Sequence, residues 1–498
     1  MAMPHKSLDA DVLVAGGGPA GAALAAKLAA AGVDVLVVER QRFPRDKVCG
    51  DFVGPVALAE LTSLGVPVHE LGAANVVRRA ALMVDGEHQI TESFPAVEGL
   101  PNFGRVIPRM ELDAAIFAAA RRAGARALEG TTVTSALTRD GLGEARVRDA
   151  RGERTLRARY IVGADGSASA VARALRGAGH PRKDMLVAVR AYVEQLAGGE
   201  DRCDLYFSGD TFPGYTWVFP TGGGGANVGI GMMVETVPPT TEHLRNLLLG
   251  RIRNDAVLRE RLRDARFTGK IVGWPLATYN PNLPLTAGAI VLTGDAGGLI
   301  NPLNGEGIHY AVLSARWAAT ALLTALDTGD SGALAAYERR VRAELGHDMA
   351  LARVIVRSIA NRSLNGLWLH MLRSFCRRAK DDPRYAHVTG GILAGLVPAR
   401  DVLAPQMLLV ALRGILEESM HVGVELAAAG PFTAASRGLS AASAALRECA
   451  LLLDHGQETF GWARDLLSDA IDLGAESGRV ALTHRTWSAQ ANAQTQAR

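Results

Sequence analysis

Cysteine is scarce and scattered in this chain: its 498 residues include four, Cys49, Cys203, Cys376 and Cys449, with no CxxC pair among them. That excludes a disulfide framework and a cysteine-built zinc site, and it fits a reducing, cytoplasmic setting. An excess of charge of one sign is lacking too. The net charge is +3 and the basic residues are spread along the chain instead of gathered in runs, so nucleic acid is not an expected partner. No apolar run reaches membrane-spanning length; the longest candidate, residues 391–416, is broken by Pro398, Arg400, Asp401, Pro405 and Arg413. His5 and Lys6 ahead of an alanine-rich stretch have the look of a signal peptide, but Asp9, Asp11 and a glycine turn interrupt it, and a buried strand is the better reading. The histidines are dispersed, with no HExxH, so no metal is expected. A GxSxG elbow and a Walker lysine are also absent.

What the chain does carry is glycine at particular places. The strand-like run Asp11-Val12-Leu13-Val14-Ala15 feeds into Gly16-Gly17-Gly18-Pro19-Ala20-Gly21, and Glu39 closes the next apolar run, Val35-Leu36-Val37-Val38. Together these specify a dinucleotide site. Gly16 allows the tight strand-to-helix turn, Gly18 lets the backbone approach a pyrophosphate, and Gly21 lets the helix pack closely on the sheet. The phosphates then sit at the helix N-terminus, beside Pro19 and Ala20, where unpaired N–H groups and the dipole suit an anion. Glu39, with Arg40 next to it, ends a strand where a carboxylate can accept both ribose hydroxyls of an adenosine and would repel a 2′-phosphate.

A length of 498 residues implies two or three structural units. Residues 11–39 read as a β-α-β unit whose alanine-rich helix Gly32 ends. Arg109 opens a second helix, with Leu112, Ile116, Ala119 and Ala120 on one face. Residues 131–157 read as a small antiparallel ribbon leading to a buried strand at 160–162 and the turn Gly163-Ala164-Asp165-Gly166. From 185 to 274 short β-runs predominate, with Gly222 to Gly225 as a hairpin loop. Residues 289–293 restore a buried parallel strand, and Gly294-Asp295 opens another strand-to-helix turn. Past residue 330 the pattern is helical, including 363–378 and 402–418; Leu364, Leu367, Trp368, Met371, Leu372 and Phe375 make one apolar stripe, and the tail after Ser488 reads as disordered. The expected fold class is α/β, α+β overall. A Rossmann-like dinucleotide domain would comprise 1–80, 105–184 and 275–345, an inserted, mostly antiparallel substrate domain 81–104 and 185–274, and a helical C-terminal region 346–498.

In order along the chain, Gly16-x-Gly18-x-x-Gly21, Arg109, Gly163-Ala164-Asp165-Gly166 with Ser169, and Gly294-Asp295-Ala296-Gly297 with Pro302 and Gly305 resemble the p-hydroxybenzoate-hydroxylase-type flavoproteins over residues 10–330. Lys47-Val48-Cys49-Gly50 and Pro213-Gly214-Tyr215-Thr216-Trp217-Val218-Phe219-Pro220 are similar to the geranylgeranyl-reductase branch. The resemblance implies FAD as cofactor. It implies Arg109 near the FAD phosphates, instead of a surface pair with Glu111 or Asp113, and Asp165 at the pyrophosphate, with a turn-stabilising role as competitor. It implies Asp295 on the ribityl chain, and Pro302, Gly305, Gly307 and Ile308 aiming a helix N-terminus at the flavin ring. Cys49 and Gly50 would face the flavin; Cys49 either guides substrate or proton transfer or is a packed apolar side chain. Asp51 departs from the glycine usual after this Cys-Gly in the reductases. Tyr215 and Trp217, alternating on a strand, share a face that either roofs an apolar pocket over the flavin or packs within the sheet. Glu306 reads as an ordinary first-turn residue favouring the helix dipole, and His309 and Tyr310 as solvent-facing or core side chains. Flavin-dependent halogenases carry Trp-x-Trp-x-Ile-Pro, whereas Tyr215 and Phe219 stand here in place of the Trp and Ile, so halogenation is not expected. A second GxGxxG is missing, and NAD(P)H, the candidate reductant, would bind without a Rossmann domain of its own.

The expected function is that of an FAD-dependent oxidoreductase, either a double-bond reductase or a monooxygenase. Its small-molecule substrate would be bulky and apolar, isoprenoid- or polyketide-like, in natural-product biosynthesis. The alternative is a non-redox cyclase that holds FAD as structure and folds a polyene for [4+2] cycloaddition.

Overall fold

The computed structural model describes residues 8–237, 241–383, 386, 395–396 and 461–477. The helix expected at 402–418 and the tail after Ser488 lie outside the described residues. Val12, Leu13, Val14 and Ala15 are wholly buried. The reason is that both faces of the sheet around their strand, Ala10–Ala15, are covered, as a continuous apolar run requires. That strand lies parallel to Val35–Glu39 on one side and Gly152–Gly163 on the other, with Arg126–Glu129 and Ile290–Leu292 parallel beyond them. One face takes the helices Pro19–Ala30, Arg109–Arg122 and Ile308–Thr328, which bury Ala22, Leu24, Leu28, Leu112, Ile116, Ala315 and Leu322. The other face takes the hairpin Thr132–Arg139 and Leu142–Asp149 and the short helix Ala170–Arg176, which cover Leu13, Leu36, Ile161 and Leu292.

Register decides where the motifs meet. Ala15 pairs with both Val38 and Gly163, and Gly163 pairs with Leu292. The strands therefore end in one row. The turns beginning at Gly16, Arg40, Ala164 and Thr293 all leave from the same carboxyl edge, where open α/β sheets hold their ligands.

A second sheet runs in the order Arg266–Phe267, Met185–Glu194, Gly225–Met233, Tyr215–Gly222, Arg202–Phe207, Arg79–Val84, Glu87–Ser93, with Val272–Ala277 also on Met185–Glu194. Its pairs are antiparallel except that Arg202–Phe207 runs parallel to Arg79–Val84. The hairpin falls where expected, with Gly222 opposite Gly225. Met83, Val189, Tyr206, Val228 and Ile230 pack beneath Leu244 and Leu248 of the Thr241–Asn254 helix. On the other face Tyr215, Trp217 and Phe219 form a ladder with ring centroids 6.1 Å apart at each step.

The helix Asn365–Asp381 docks on an edge of this sheet through Asn365, Leu369, Cys376 and Ala379, with Trp368, Leu372 and Phe375 partly buried beside them. Leu367 and Met371 are exposed, so the apolar stripe expected from the sequence is rotated. A helix at 461–477 is tied to His347–Ile359 by buried arginines: Arg353 meets Asp469 at 2.9 Å and Asp184 at 3.2 Å, and Arg357 meets Asp469 at 3.3 Å.

Candidate active site

The glycine turn is shaped as an anion cradle. Gly16 has φ +100°, and a Cβ there would lie 2.4 Å from the Ala164 carbonyl oxygen; one at Gly21 would lie 1.9 Å from the Gly16 oxygen. Gly18 is the N-cap of Pro19–Ala30, and no side chain caps it. The first N–H groups of that helix, at Ala20 and Gly21, are therefore left for a ligand. Glu39 is buried at the strand tip, where Oε2 accepts from the Gly17 N–H at 2.8 Å and Oε1 from the Gln41 N–H at 2.9 Å. Each oxygen keeps a lone pair that suits a ribose hydroxyl. Arg40 is exposed, its guanidinium 5.4 Å above the Trp274 ring.

Arg109 is buried and engages Asp113 with both arms, at 2.6 and 2.7 Å, while Arg45 takes the same carboxylate at 2.6 Å. Burial alone would push the Asp113 carboxyl up, but the paired Arg109 and Arg45 hold it below the usual range. A Cβ at Gly18 would lie 3.4 Å from Arg45 Nη2, so a cation stands beside the cradle. Arg45 was not singled out from the sequence, because nothing local marks it; its place follows from the shared Asp113. Asp165 turns back on its own loop, accepting from Ser169 Oγ at 2.5 Å and the Ala170 N–H at 2.7 Å, so its carboxylate stabilises the turn.

Gly294, at φ +54°, packs its turn against Ala20. Asp295 Oδ2 accepts from Lys47 Nζ at 2.8 Å, and its Oδ1 would be 3.3 Å from a Cβ at Gly307. The carboxylate thus lies between the cradle, Lys47 and the loop of Pro302 and Gly305. Ile308 begins the next helix with Gly307 as its N-cap, again without a side-chain cap. Glu306 therefore precedes the helix and is not the first-turn residue expected from the sequence; its side chain turns inward, 13% exposed, because the tight loop around Gly305 carries it under the helix end. His309 and Tyr310 are buried and stacked on one another, in keeping with core positions.

Residues 46–51 form a strap between the two sheets. Arg190 Nη2 donates to Asp46, Lys47 reaches Asp295, and Asn227 Nδ2 donates to the Cys49 carbonyl at 2.7 Å. The same Asn227 accepts from Trp217 Nε1 at 2.9 Å and donates to Asp51 Oδ2 at 2.8 Å. A Cβ at Gly50 would meet the Phe219 ring at 3.2 Å. Cys49 and Gly50 are thus brought together with Trp217, and Tyr215 continues the same ladder. Burial pushes the Cys49 thiol up, Arg109 opposing and Asp51 adding to it, so it remains a thiol and not a nucleophilic thiolate.

Asp51 is the residue the sequence flagged only as a departure from glycine. It keeps the left-handed backbone that glycine favours, at φ +64°, and is wholly buried. Tyr192 donates to Oδ2 at 2.5 Å beside Asn227, whereas Oδ1 has no hydrogen-bond partner among the described residues. Burial pushes this carboxyl up to about 7, against those two bonds and the Arg190 and Arg109 charges.

An uncapped helix end on a tight glycine turn, a buried acid at the neighbouring strand tip and an acid over the next turn along one sheet edge fit an extended dinucleotide such as FAD. Among the described residues no group of His, Cys, Asp or Glu is placed to hold a metal, and no helix is long and apolar enough to cross a membrane. Residues 9–349 match the family described as FAD binding domain. The menaquinone reductase of Mycolicibacterium smegmatis is 35% identical over 329 residues, covering 62% of this chain and 75% of that one. The digeranylgeranylglycerophospholipid reductase of Methanocella arvoryzae is 30% identical over 353 residues, covering 68% and 84%. Among solved structures, a geranylgeranyl bacteriochlorophyll reductase-like protein from Thermoplasma acidophilum superposes with a TM-score of 0.65 at 24% identity over 73% of this chain and 91% of that one. The myxobacterial chondrochloren halogenase gives 0.61 at 24%, over 70% and 83%. At that identity the two structures speak for the fold alone. The family match and the reductase relatives, on a fold that assembles the cradle in the expected order, show that the chain belongs to the FAD-binding-domain family of p-hydroxybenzoate-hydroxylase type, as an FAD-dependent oxidoreductase of its geranylgeranyl-reductase-like branch.

Proposed function

We propose that the protein reduces double bonds in a bulky, isoprenoid-like metabolite, with NAD(P)H as reductant. The observation that carries this reading is the aromatic ladder of Tyr215, Trp217 and Phe219 against the strap of Cys49 and Gly50, an apolar wall suited to a prenyl chain. Relatives named as reductases of menaquinone and of digeranylgeranylglycerophospholipid support the substrate class. When bound, FAD supplies hydride chemistry; the chain orients substrate, excludes water and manages the proton.

In this reading Gly16, Gly18, Pro19, Ala20 and Gly21 hold the pyrophosphate, with Arg109 and Arg45 on its cationic side and Asp165 shaping the adjoining turn. Glu39 and Arg40 take the adenosine end. Gly294 and Asp295 take the polyol, and Pro302, Gly305, Gly307 and Ile308 the ring end. Cys49 and Gly50 line the ring face, and Tyr215 and Trp217 the substrate pocket. The first sheet with its helices forms the FAD-binding domain, the second sheet the substrate domain, and residues from 346 onward the helical region.

The test is anaerobic incubation of the holoprotein and NADPH with menaquinone and, separately, with a geranylgeranyl glycerophospholipid, read by high-resolution mass spectrometry. A product that stays two hydrogens heavier after the quinol has been reoxidised supports the reading, because reduction of the quinone ring adds the same mass. Deleting the gene in its host and comparing accumulated precursor with product then places the reaction: one added oxygen marks a monooxygenase, and isomers of equal mass mark a natural-product cyclase with structural FAD, either of which overturns the reductase.

A further inference from the structure

The loop entering the Ile308–Thr328 helix holds an ionisable side chain with no task so far. Glu306 Oε2 is buried and, among the described residues, has no hydrogen-bond partner. Among the described residues, the groups facing it are uncharged. His309 Nδ1 lies 3.7 Å from Oε1, and Tyr310 stacks on that imidazole at 4.7 Å. Tyr215, from the aromatic ladder, donates its hydroxyl to the Asn304 carbonyl at 2.6 Å, tying the loop to the second sheet. Gly395 lies on the Oε2 side, a Cβ there being 2.5 Å from Oε2. Leu396, next in the chain, packs with Phe52 and Phe219 against the cluster of Val77, Phe94 and Val106.

Burial, opposed by Asn304, pushes the Glu306 carboxyl up to about 8, and burial drives the His309 imidazole down to about 4, so the site favours the neutral form of both. Gly307, the next residue, packs on Asp295 at the cofactor turn, while Tyr215 anchors the loop to the apolar wall. The loop that carries the acid stands where those two surfaces meet.

We propose that Glu306 is the proton donor of the reaction, an assignment that rests on the reductase reading. Saturating one prenyl double bond adds a hydride and a proton. Bound FAD, reduced by NAD(P)H, would supply the hydride to one carbon, while the π electron pair takes up the proton at the other. The Glu306 O–H bond breaks as the new substrate C–H bond forms, and the O–H electron pair stays on the carboxylate. Water reprotonates it, with neutral His309 as the neighbouring carrier.

The experiment compares wild-type, Glu306→Gln and Glu306→Asp holoproteins. Infrared spectra across pH should show a protonated-carboxyl carbonyl band that titrates near 8 and is missing from Glu306→Gln. With the geranylgeranyl glycerophospholipid as probe, Glu306→Gln should slow the step that consumes the reduced cofactor by about 100-fold or more at neutral pH, with the step that forms it affected far less. Glu306→Asp should recover part of the rate with a shifted pH profile. A Glu306→Gln protein that keeps its flavin and the wild-type rate overturns the assignment and leaves the reductase reading standing. A wild type inert toward the probe counts against the reductase reading, and the infrared band then decides for Glu306: an unchanged band in Glu306→Gln overturns it.

Discussion

Lys47 Nζ donates to Asp295 Oδ2 across 2.8 Å although the two residues stand 248 positions apart. Asp295 belongs to a turn at the carboxyl edge of the parallel sheet, and Lys47 to the strap that Arg190 and Asn227 fasten to the second sheet. One ion pair therefore couples the Gly294 turn of the first sheet to the strap on the second.

That coupling is measurable by a double-mutant cycle of Lys47→Met and Asp295→Asn. The pair is partly exposed, at 24% and 14%, so its interaction should amount to about 1 kcal/mol in urea unfolding. Asp295→Ala should also lower the flavin content of the purified protein. Strict additivity with full flavin loading would remove both roles.

Glu39→Arg takes away the acceptor of the Gly17 and Gln41 N–H groups and sets a cation at the strand tip. FAD affinity should fall about 10-fold or more, the worth of one charge-assisted hydrogen bond. The flavin-to-protein ratio after dialysis reads it directly, and an unchanged ratio would sink the adenosine assignment.

Asp51 gives a pH dependence of definite sign. Its carboxyl is raised in the folded protein to about 7, so between about 4 and about 7 the folded state holds a proton that the unfolded state has lost. This contribution to stability is complete at the acid end and disappears as pH rises through 7. Asp51→Asn keeps an oxygen for Tyr192 and Asn227 and cannot ionise. Its stability should fall less steeply over that window than the wild type's; parallel curves would mean that Asp51 does not hold the proton.

Arg357→Ala should cost about 2 kcal/mol, because it leaves Arg353 alone to pair the buried Asp469 and Asp184. The helix at 461–477 should then become the first site of limited proteolysis. Unaltered cleavage would show that the helix is held by other contacts.

Much of the architecture was legible because its signals are local. Gly16, Gly18 and Gly21 are dictated by a turn that no Cβ would fit, the run of Val12 to Ala15 by burial on both faces, and Gly222 with Gly225 by a tight hairpin. Tyr215 and Trp217 were placed on one face by the period of a strand alone. The outcome for Asp51, Arg45 and Glu306 was not legible. Each depends on partners distant in sequence, Asn227 and Tyr192 for the first, Asp113 for the second, and Gly395 with Tyr215 for the third. The helix stripe failed for a related reason: periodicity shows that a face is apolar, but the docking edge of the second sheet chose Leu369 and Cys376 over Leu367 and Met371.

The sequence by itself determined the order of strands and turns, and with it the nucleotide cradle, since backbone geometry and continuous burial are properties of short segments. Only the tertiary structure decided which ionisable groups keep their protons and which residues bind Asp113, Asp295 and Asp51. Desolvation and pairing are set by what folds over a side chain, and most of what folds over these comes from more than a hundred residues away.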